Sequence, residues 1–153
     1  MDYRRAAEKD IDALVKNRIN MRIEREEKQC PMSLTDFGER SRDYFKQHIS
    51  NESFIAWVAV DEEEIIATSG MCVYRVPPTY SNPSGKVAYL VNMYTMPEYR
   101  NSGIATKLLE HLMDEARKRG CIRITLNASK DGRPIYEEYG FTDVAGDMEY
   151  FIE

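Results

Sequence analysis

The sequence predicts one mixed α/β (α+β) domain of six to seven strands and about four helices. Helix and strand patterns follow in the order strand, two helices, three strands, helix, strand, short helix and strands. Hydrophobic residues make up 42% and charged residues 31% of the chain, which is typical of a domain that folds alone. No repeat, linker or low-complexity tract interrupts this order, so we expect residues 1–153 to form a single domain.

The N-terminal third is predicted to contain a short strand and two helices. DYRRAA has the composition of a strand, and Asp10 is a candidate N-cap for a first helix that continues into the charged segment 22–28. Ser33 or Thr35 can cap a second helix, because apolar residues recur at helical spacing after them.

The middle of the chain changes to strand patterns. FIAWVAV and IIATSGMCVYRV flank the acidic turn at 61–64, which predicts a hairpin. The proline, glycine and serine residues of 77–86 predict an exposed loop. The strand 87–95 follows, and it is apolar enough to be buried on both faces.

The most regular helix begins at Ile104, where an apolar stripe starts, and Gly120 is a natural residue to close it. CIRITLN alternates as a further strand, and RPIYEEYG predicts a short helix that ends at Gly140. FTDVAGDMEYFIE predicts a final hairpin that turns at 145–147.

Charge and cysteine content argue against several classes. The net charge is −5 and the basic residues are spread along the chain, so nucleic acid is not an expected partner. Neither a membrane span nor a signal-peptide core is present, and we expect a cytoplasmic protein. Cys30, Cys72 and Cys121 lack the spacing of a metal or redox site, so we expect no metal and mostly buried cysteines.

The turn before the long helix is the first candidate site. A helix N-terminus exposes unpaired backbone N–H groups and about half a positive charge, so it attracts anions. Gly103 and Ala105 would let a polyanion approach the main chain, and Arg100 adds charge. A phosphate or pyrophosphate site is one interpretation. The other is that Asn101 or Ser102 merely caps the helix.

With these motifs the sequence resembles the GNAT superfamily of acyl-CoA N-acyltransferases. The family's phosphate motif is glutamine or arginine, two residues, glycine, one residue, then glycine or alanine; Arg100, Gly103 and Ala105 fill those places. The strand LVNMYT precedes this motif, and IYEEYGF at 135–141 follows the next strand. The resemblance is close over residues 54–143, and two motifs in the right order are far more specific than either alone.

The resemblance implies acetyl-CoA as acyl donor and a twisted sheet whose strands 87–95 and 121–127 splay apart to admit the pantetheine arm. The backbone of Met93, Tyr94 and Thr95 would pair with the pantetheine amides. Backbone amides of the turn would hold the pyrophosphate, those of Asn101, Ser102, Gly103, Ile104, Ala105 and Thr106.

The resemblance also implies a proton donor. Tyr136 matches the family's tyrosine that protonates the departing CoA thiolate, and a phenol with a pKa of about 10 is a donor at neutral pH. Ser129 and Gly132 stand where the family often has asparagine and alanine. Ser129 can hydrogen-bond the pantetheine or set its position, and Asn127 is its rival.

The general base has no clear candidate. The strand 87–95 carries no carboxylate, and Asn92 can orient a water but is not a strong base. The alternative bases are Glu24, Glu26 or a carboxylate of the final hairpin. Each of these carboxylates has a second interpretation as a solvated surface group.

The resemblance therefore implies an N-acetyltransferase in which a small-molecule or peptide amine attacks the thioester directly in a ternary complex. A homodimer is compatible with the family. Two other classes stay open: a catalytically silent CoA-binding sensor or regulatory module, because no base is evident, and a structural domain whose turn only caps its helix. Coenzyme binding and turnover on amines separate the three.

Overall fold

A computed structural model describes residues 1–25 and 32–152. Glu26, Cys30 and the end of the predicted segment 22–28 lie outside these residues. Single-turn 3-10 helices at Glu8–Asp10 and Pro97–Tyr99 lead into the first and third helices. The longer elements are β1 (Asp2–Arg5), α1 (Ile11–Glu24), α2 (Leu34–Ser50), β2 (Phe54–Asp61), β3 (Glu64–Arg75), β4 (Lys86–Thr95), α3 (Ile104–Lys118), β5 (Arg123–Leu126) and α4 (Arg133–Tyr139).

The strands form one mixed sheet in the order β1-β2-β3-β4-β5. The first four are antiparallel neighbours, and β5 runs parallel to β4. Helices α1 and α2 pack their apolar residues on one face, around Phe54 and Val58. Helix α3 covers the other face through Leu109 and Leu112. The mixed α/β class is confirmed, and residues 1–25 and 32–152 contain four longer helices, as predicted.

The predicted number of six to seven strands is wrong, because the final hairpin is absent. Residues 141–152 contain no strand and pair with none of the described strands, although Gly146 does lie in a turn. Met148, Tyr150 and Ile152 are 87 to 96% exposed, so their alternating pattern covers no sheet face. An isolated hairpin that buries nothing is at best marginally stable, which accounts for the difference.

Asp10 stands at the N-cap position of α1 as predicted, but its side chain bonds residues before the helix instead of capping it. Its carboxylate accepts hydrogen bonds from Arg4 at 2.8 and 2.9 Å and from the Ala7 N–H at 2.8 Å, and it makes no cap bond to α1. The bond from Arg4 lowers the pKa of the Asp10 carboxyl, and this effect outweighs the opposing effect of burial. An ion pair between a buried carboxylate and a partly exposed guanidinium therefore fixes where α1 begins relative to the sheet.

Other local predictions are confirmed. Ser33 caps α2 by accepting a hydrogen bond from the Asp36 N–H at 3.1 Å. Glu62 and Glu63 take positive φ angles of 45° and 72° in the turn between β2 and β3, as a tight hairpin requires. Gly120 closes α3 with a φ of +74°.

Candidate active site

β4 and β5 separate halfway along β4. They pair from Val87 opposite Arg123 to Leu90 opposite Leu126, and β4 then continues without β5 to its end. The register of β4 against β3 shifts at this point, where Asn92 takes a φ of +60°. Such a bulge bends a strand and increases its twist. The two strands are therefore splayed, as the resemblance implies.

A cleft of about 780 Å³ adjoins the end of β4 that continues past its pairing with β5. The start of α3 and the segment 129–136 form two of its walls, and Met21, Glu24 and Arg25 of α1 form another. Asn92 and Ser102 do not line it. The other predicted site residues do: Met93, Tyr94, Thr95, Arg100, Asn101, Gly103, Ile104, Ala105, Thr106, Ser129 and Tyr136.

The turn before α3 presents a row of free backbone donors. Within the described part of the chain, no acceptor bonds the N–H groups of residues 101–106, and the first bond at this end runs from the Lys107 N–H to the Gly103 carbonyl at 3.0 Å. Gly103 has a φ of +82°, and apart from its chain neighbours no described atom lies within 4 Å of where its Cβ would stand. The main chain is open here, and its donors suit a diphosphate.

The alternative interpretation of this turn as a simple cap is wrong. No described side chain caps α3. The Ser102 hydroxyl instead donates to the Tyr99 carbonyl, and Asn101 takes a left-handed φ of 58° that continues the turn. The donors at the helix start consequently stay available to a ligand.

The Arg100 side chain connects the turn to α1. Its Nε donates to the Thr95 carbonyl at 2.8 Å, and its guanidinium pairs with Glu24 at 2.7 Å. The guanidinium also lies 5.4 Å from the centre of the Tyr94 ring, whose hydroxyl donates to Glu24 at 2.9 Å. Arg100 therefore positions the turn through these contacts, and Glu24 holds two donors instead of standing free as a base.

Tyr136 lies in the cleft with its ring packed edge-on against Phe141, the centroids being 5.8 Å apart. No hydrogen bond engages its hydroxyl within residues 1–25 and 32–152. Burial raises the pKa of Tyr136 to about 12, although the nearby charge of Arg25 opposes this. The phenol is thus protonated at neutral pH and able to donate.

Ser129 organises the start of α4. Its hydroxyl accepts the Gly132 N–H at 3.1 Å, and its carbonyl accepts the Arg133 N–H at 2.9 Å. A Cβ added to Gly132 would lie 3.0 Å from that hydroxyl and 3.5 Å from the ring of Tyr136. Ser129 and Gly132, the two departures from the family's pattern, therefore fit one another. Asn127, the rival of Ser129, is exposed and does not line the cleft.

Two asparagines are buried without partners for their amides. Asn92 is 2% and Asn17 is 1% exposed, and neither side chain bonds any described group. The main-chain carbonyl of Asn92 accepts a hydrogen bond from the Thr68 hydroxyl at 3.1 Å, whereas its side-chain amide has no described partner. Unsatisfied buried amides are costly, so such groups point to a bound water or a functional role. The sequence analysis missed Asn17, because one polar residue on an apolar helix face gives no distinctive signal.

The described cysteines and His111, which are the remaining candidates for metal or redox chemistry, are packed against other side chains. Among the described residues, no three His, Cys, Asp or Glu side chains form a metal-binding group. Cys121 is buried and Cys72 lies 3.2 Å from the Tyr44 hydroxyl. His111 is half-buried and its ring stacks on Trp57, with 4.0 Å between the ring centroids. No described helix combines the length and apolarity that crossing a membrane requires.

This combination of splayed strands and an open helix N-terminus defines a class of coenzyme A-dependent acyltransferase folds. Residues 20–141 match the model of the acetyltransferase (GNAT) family, and the chain belongs to that family. A predicted acetyltransferase from Clostridium acetobutylicum, solved with acetyl-CoA, is 37% identical with a TM-score of 0.89 over 98% of this chain and 95% of the relative. A GCN5-related N-acetyltransferase from Ralstonia eutropha JMP134 shares the fold at 24% identity, with a TM-score of 0.87 over 98% and 97%.

Curated relatives match over shorter stretches. Glucosamine 6-phosphate N-acetyltransferase from Trypanosoma brucei brucei is 26% identical over 72 residues, 47% of this chain and 49% of the relative. Thialysine N-epsilon-acetyltransferase from Mus musculus is 32% identical over 68 residues, 42% of this chain and 40% of the relative. The chain thus spans about half the length of these relatives or less.

Proposed function

We propose that this protein is an N-acetyltransferase that transfers an acetyl group from acetyl-CoA to an amine by direct attack in a ternary complex. The observation that carries the proposal is the row of unbonded N–H groups at 101–106 beside the gap between β4 and β5. The relative solved with acetyl-CoA supports the choice of donor.

The donor would lie along the cleft. The N–H groups at 101–106 would bind its pyrophosphate, because a helix N-terminus pairs anions with both free donors and the helix dipole. The edge of β4 at Met93 and Tyr94 has no β5 partner, so its main chain would pair with the pantetheine amides as an added strand does. The Thr95 carbonyl already accepts from Arg100, which leaves fewer groups for the ligand at that position.

The chemistry follows from what the cleft walls offer. The neutral amine nitrogen attacks the thioester carbon, the new C–N bond forms, and the C–S electron pair leaves with sulfur. Tyr136 donates its hydroxyl proton to that sulfur. The amine proton passes to water in the cleft and from there to bulk solvent. Asn92 and Asn17 do not line the cleft, so their buried amides would hold a water outside its lining instead of contacting the amine.

The acceptor is proposed to be a small-molecule amine. The relatives named above are N-acetyltransferases of glucosamine 6-phosphate and of thialysine, which are both small amines. A peptide amine is the other acceptor class compatible with the fold. A cytoplasmic location and a homodimer stay predictions.

Thiol release from acetyl-CoA in the presence of an amine panel tests the proposal, with mass spectrometry to identify acetylated products. We expect release that depends on the amine and yields its N-acetyl derivative. Tight coenzyme binding without turnover on any amine would instead identify a silent sensor. Absence of binding would leave a purely structural domain.

A further inference from the structure

Residues 148–152 expose a run of apolar side chains. Met148, Tyr150, Phe151 and Ile152 are 78 to 96% exposed, and no described group forms a hydrogen bond with residues 148–152. Met148, Tyr150 and Ile152 alternate in sequence as they would on one face of a strand. We call residues 148–152 the exposed segment. Apolar surface that is concentrated in this way marks an interaction site.

The outer edge of β5 is free to receive a strand. β5 pairs with β4 on one side, and no described strand pairs with its other side. The backbone N–H and C=O groups of such an edge are a template for a further strand. The sheet's other edge, β1, differs because Arg4 and Arg5 there already pair with Asp10 and Glu52. Arg123 of β5 is exposed and forms no ion pair with any described carboxylate.

The apolar cluster beside β5 is also incomplete at this edge. No residue of β5 is fully buried, whereas β4 has buried residues along its whole length. A further strand beyond β5 would cover the half-buried apolar side chains of β5, α4 and the residue that follows α4. These side chains are Ile124, Leu126, Ile135, Tyr136, Tyr139 and Phe141.

The exposed segment matches this edge in both polarity and charge. Side chains alternate between the two faces of a strand, so β5 places Ile124 and Leu126 on the cluster side and Arg123 on the opposite side. The exposed segment separates Tyr150 from Glu149 in the same way. When Tyr150 faces the cluster, Glu149 therefore lies on the face of Arg123. Opposite charges on neighbouring strands stabilise their pairing.

The exposed segment and the edge of β5 do not meet within one chain. Asp143, which precedes the segment, is held by Arg133 of α4 at 2.9 Å, and the residues after it pair with no described strand. Complementary surfaces that do not meet within one chain can meet between two copies. Two such exchanges about a two-fold axis close the assembly.

We propose that the exposed segment of one chain adds as a strand to the outer edge of β5 in a second copy of this chain, which returns the exchange. The product is a two-fold symmetric dimer in which each exposed segment covers the open side of the partner's apolar cluster. The inference does not depend on the proposed function, because it concerns one edge of the sheet and no reacting group.

The surface available is large enough for a stable dimer. The Tyr150 ring alone would bury roughly 150–250 Å², and Met148 and Ile152 lie on the same face of the segment. With the surface that they cover on β5 and α4, two exchanges would bury on the order of 1,200–2,000 Å². Specific, stable interfaces between proteins bury about this area.

Sedimentation equilibrium on the full chain tests the proposal. We expect a dimer at micromolar concentrations. Tyr150→Lys should raise its dissociation constant at least tenfold, because it places a charge against the apolar cluster, and Tyr150 is 87% exposed, so the fold should persist. Tyr80→Lys, at a fully exposed tyrosine of the loop 77–86, is the matched control and should leave the constant unchanged.

Charge reversal distinguishes exchange between copies from pairing within one chain. Arg123→Glu, and Asp147→Lys combined with Glu149→Lys, should each weaken self-association at least tenfold at low ionic strength, because like charges then face each other. An equimolar mixture of the two variants should regain the native affinity, because every segment in the mixed dimer meets an edge of opposite charge. Pairing within one chain predicts no such recovery.

Hydrogen exchange of the backbone amides of 148–152 completes the test. We expect slow exchange in the dimer and fast exchange in Tyr150→Lys. A monomer with slow exchange would show that the segment pairs with its own chain, and a monomer with fast exchange would show that it has no occupant in this protein alone. Either result would overturn the proposal, as would a dimer that Tyr150→Lys and both charge variants leave intact.

Discussion

The Tyr136 hydroxyl is the single group on which the proposed proton transfer depends. Tyr136→Phe removes it and keeps the ring against Phe141, so the fold and the cleft should persist. We expect kcat to fall by about 10²-fold or more, the usual contribution of a general acid, with unchanged acetyl-CoA affinity. Steady-state kinetics and calorimetry measure both quantities.

Tyr139→Phe is the matched control for this substitution, because Tyr139 lies on the same helix and its hydroxyl only accepts a bond from Arg117 at 2.9 Å. It should keep nearly full kcat. A Tyr136→Phe variant that turns over as fast as the native protein would remove Tyr136 from the mechanism.

The fit between Ser129 and Gly132 is measurable as a coupling energy. Gly132→Ala would force a contact of 3.0 Å between its Cβ and the Ser129 hydroxyl, so we expect a loss of about 1 kcal/mol in the free energy of unfolding. In a Ser129→Ala background the same change should cost little. A double-mutant cycle by urea denaturation gives the coupling, and additive effects would show that the two positions are independent.

At the scale of residues, sequence motifs predicted the backbone conformation of the site better than its side-chain contacts. Gly103 lies open at the helix start as the motif implies. The contacts of Arg100 were not predictable, because its partner Glu24 is 76 residues away and only the fold brings them together. Asn17 was missed for the same reason, since its unusual burial depends on tertiary packing.

The junction between β1 and α1 makes a prediction at the scale of elements. Asp10→Asn leaves the partly exposed Arg4 guanidinium without its anion, and we expect the free energy of unfolding to fall by about 1 to 2 kcal/mol at pH 7. Asp12→Asn changes an 85% exposed side chain in the first turn of α1 that pairs with Arg42, and it should cost well under 1 kcal/mol. Urea denaturation compares the two.

The pH dependence of this difference has a defined sign. Because the folded pKa of Asp10 lies below its ordinary value of 3.8, its contribution is present above about pH 4 and disappears as the pH falls through the folded pKa. The gap between the native protein and Asp10→Asn should therefore narrow below pH 4. A gap that stays constant down to pH 2 would contradict the role of the ion pair.

Elements with their own strong signals were predictable, and those that need a partner were not. Helix α3 has a clear apolar stripe and a closing glycine, and the β2–β3 hairpin has two apolar runs around an acidic turn. The segment 141–152 has the alternation of strands, yet its apolar side chains stay exposed. Alternation is therefore insufficient where no strand or sheet face receives the segment.

The candidate site is a property of the whole molecule, since it assembles three distant stretches of chain. The coenzyme side comes from the end of β4, the start of α3 and the segment 129–136, and motifs predicted these parts. The opposite wall comes from α1, where Met21, Glu24 and Arg25 belong to no motif. Acceptor recognition was accordingly beyond sequence analysis and depends on how α1 packs over the sheet.

Calorimetric titration of acetyl-CoA into the native protein, Gly103→Leu and Gly120→Leu tests the central claim most directly. Both glycines have similar positive φ angles, +82° and +74°, at opposite ends of α3, so leucine imposes similar backbone strain at each. Only Gly103 faces the open donors of the cleft. We expect micromolar or tighter binding by the native protein and Gly120→Leu, and at least 100-fold weaker binding by Gly103→Leu. Equal affinity in all three, or no binding by the native protein, would contradict a pyrophosphate site at the start of α3.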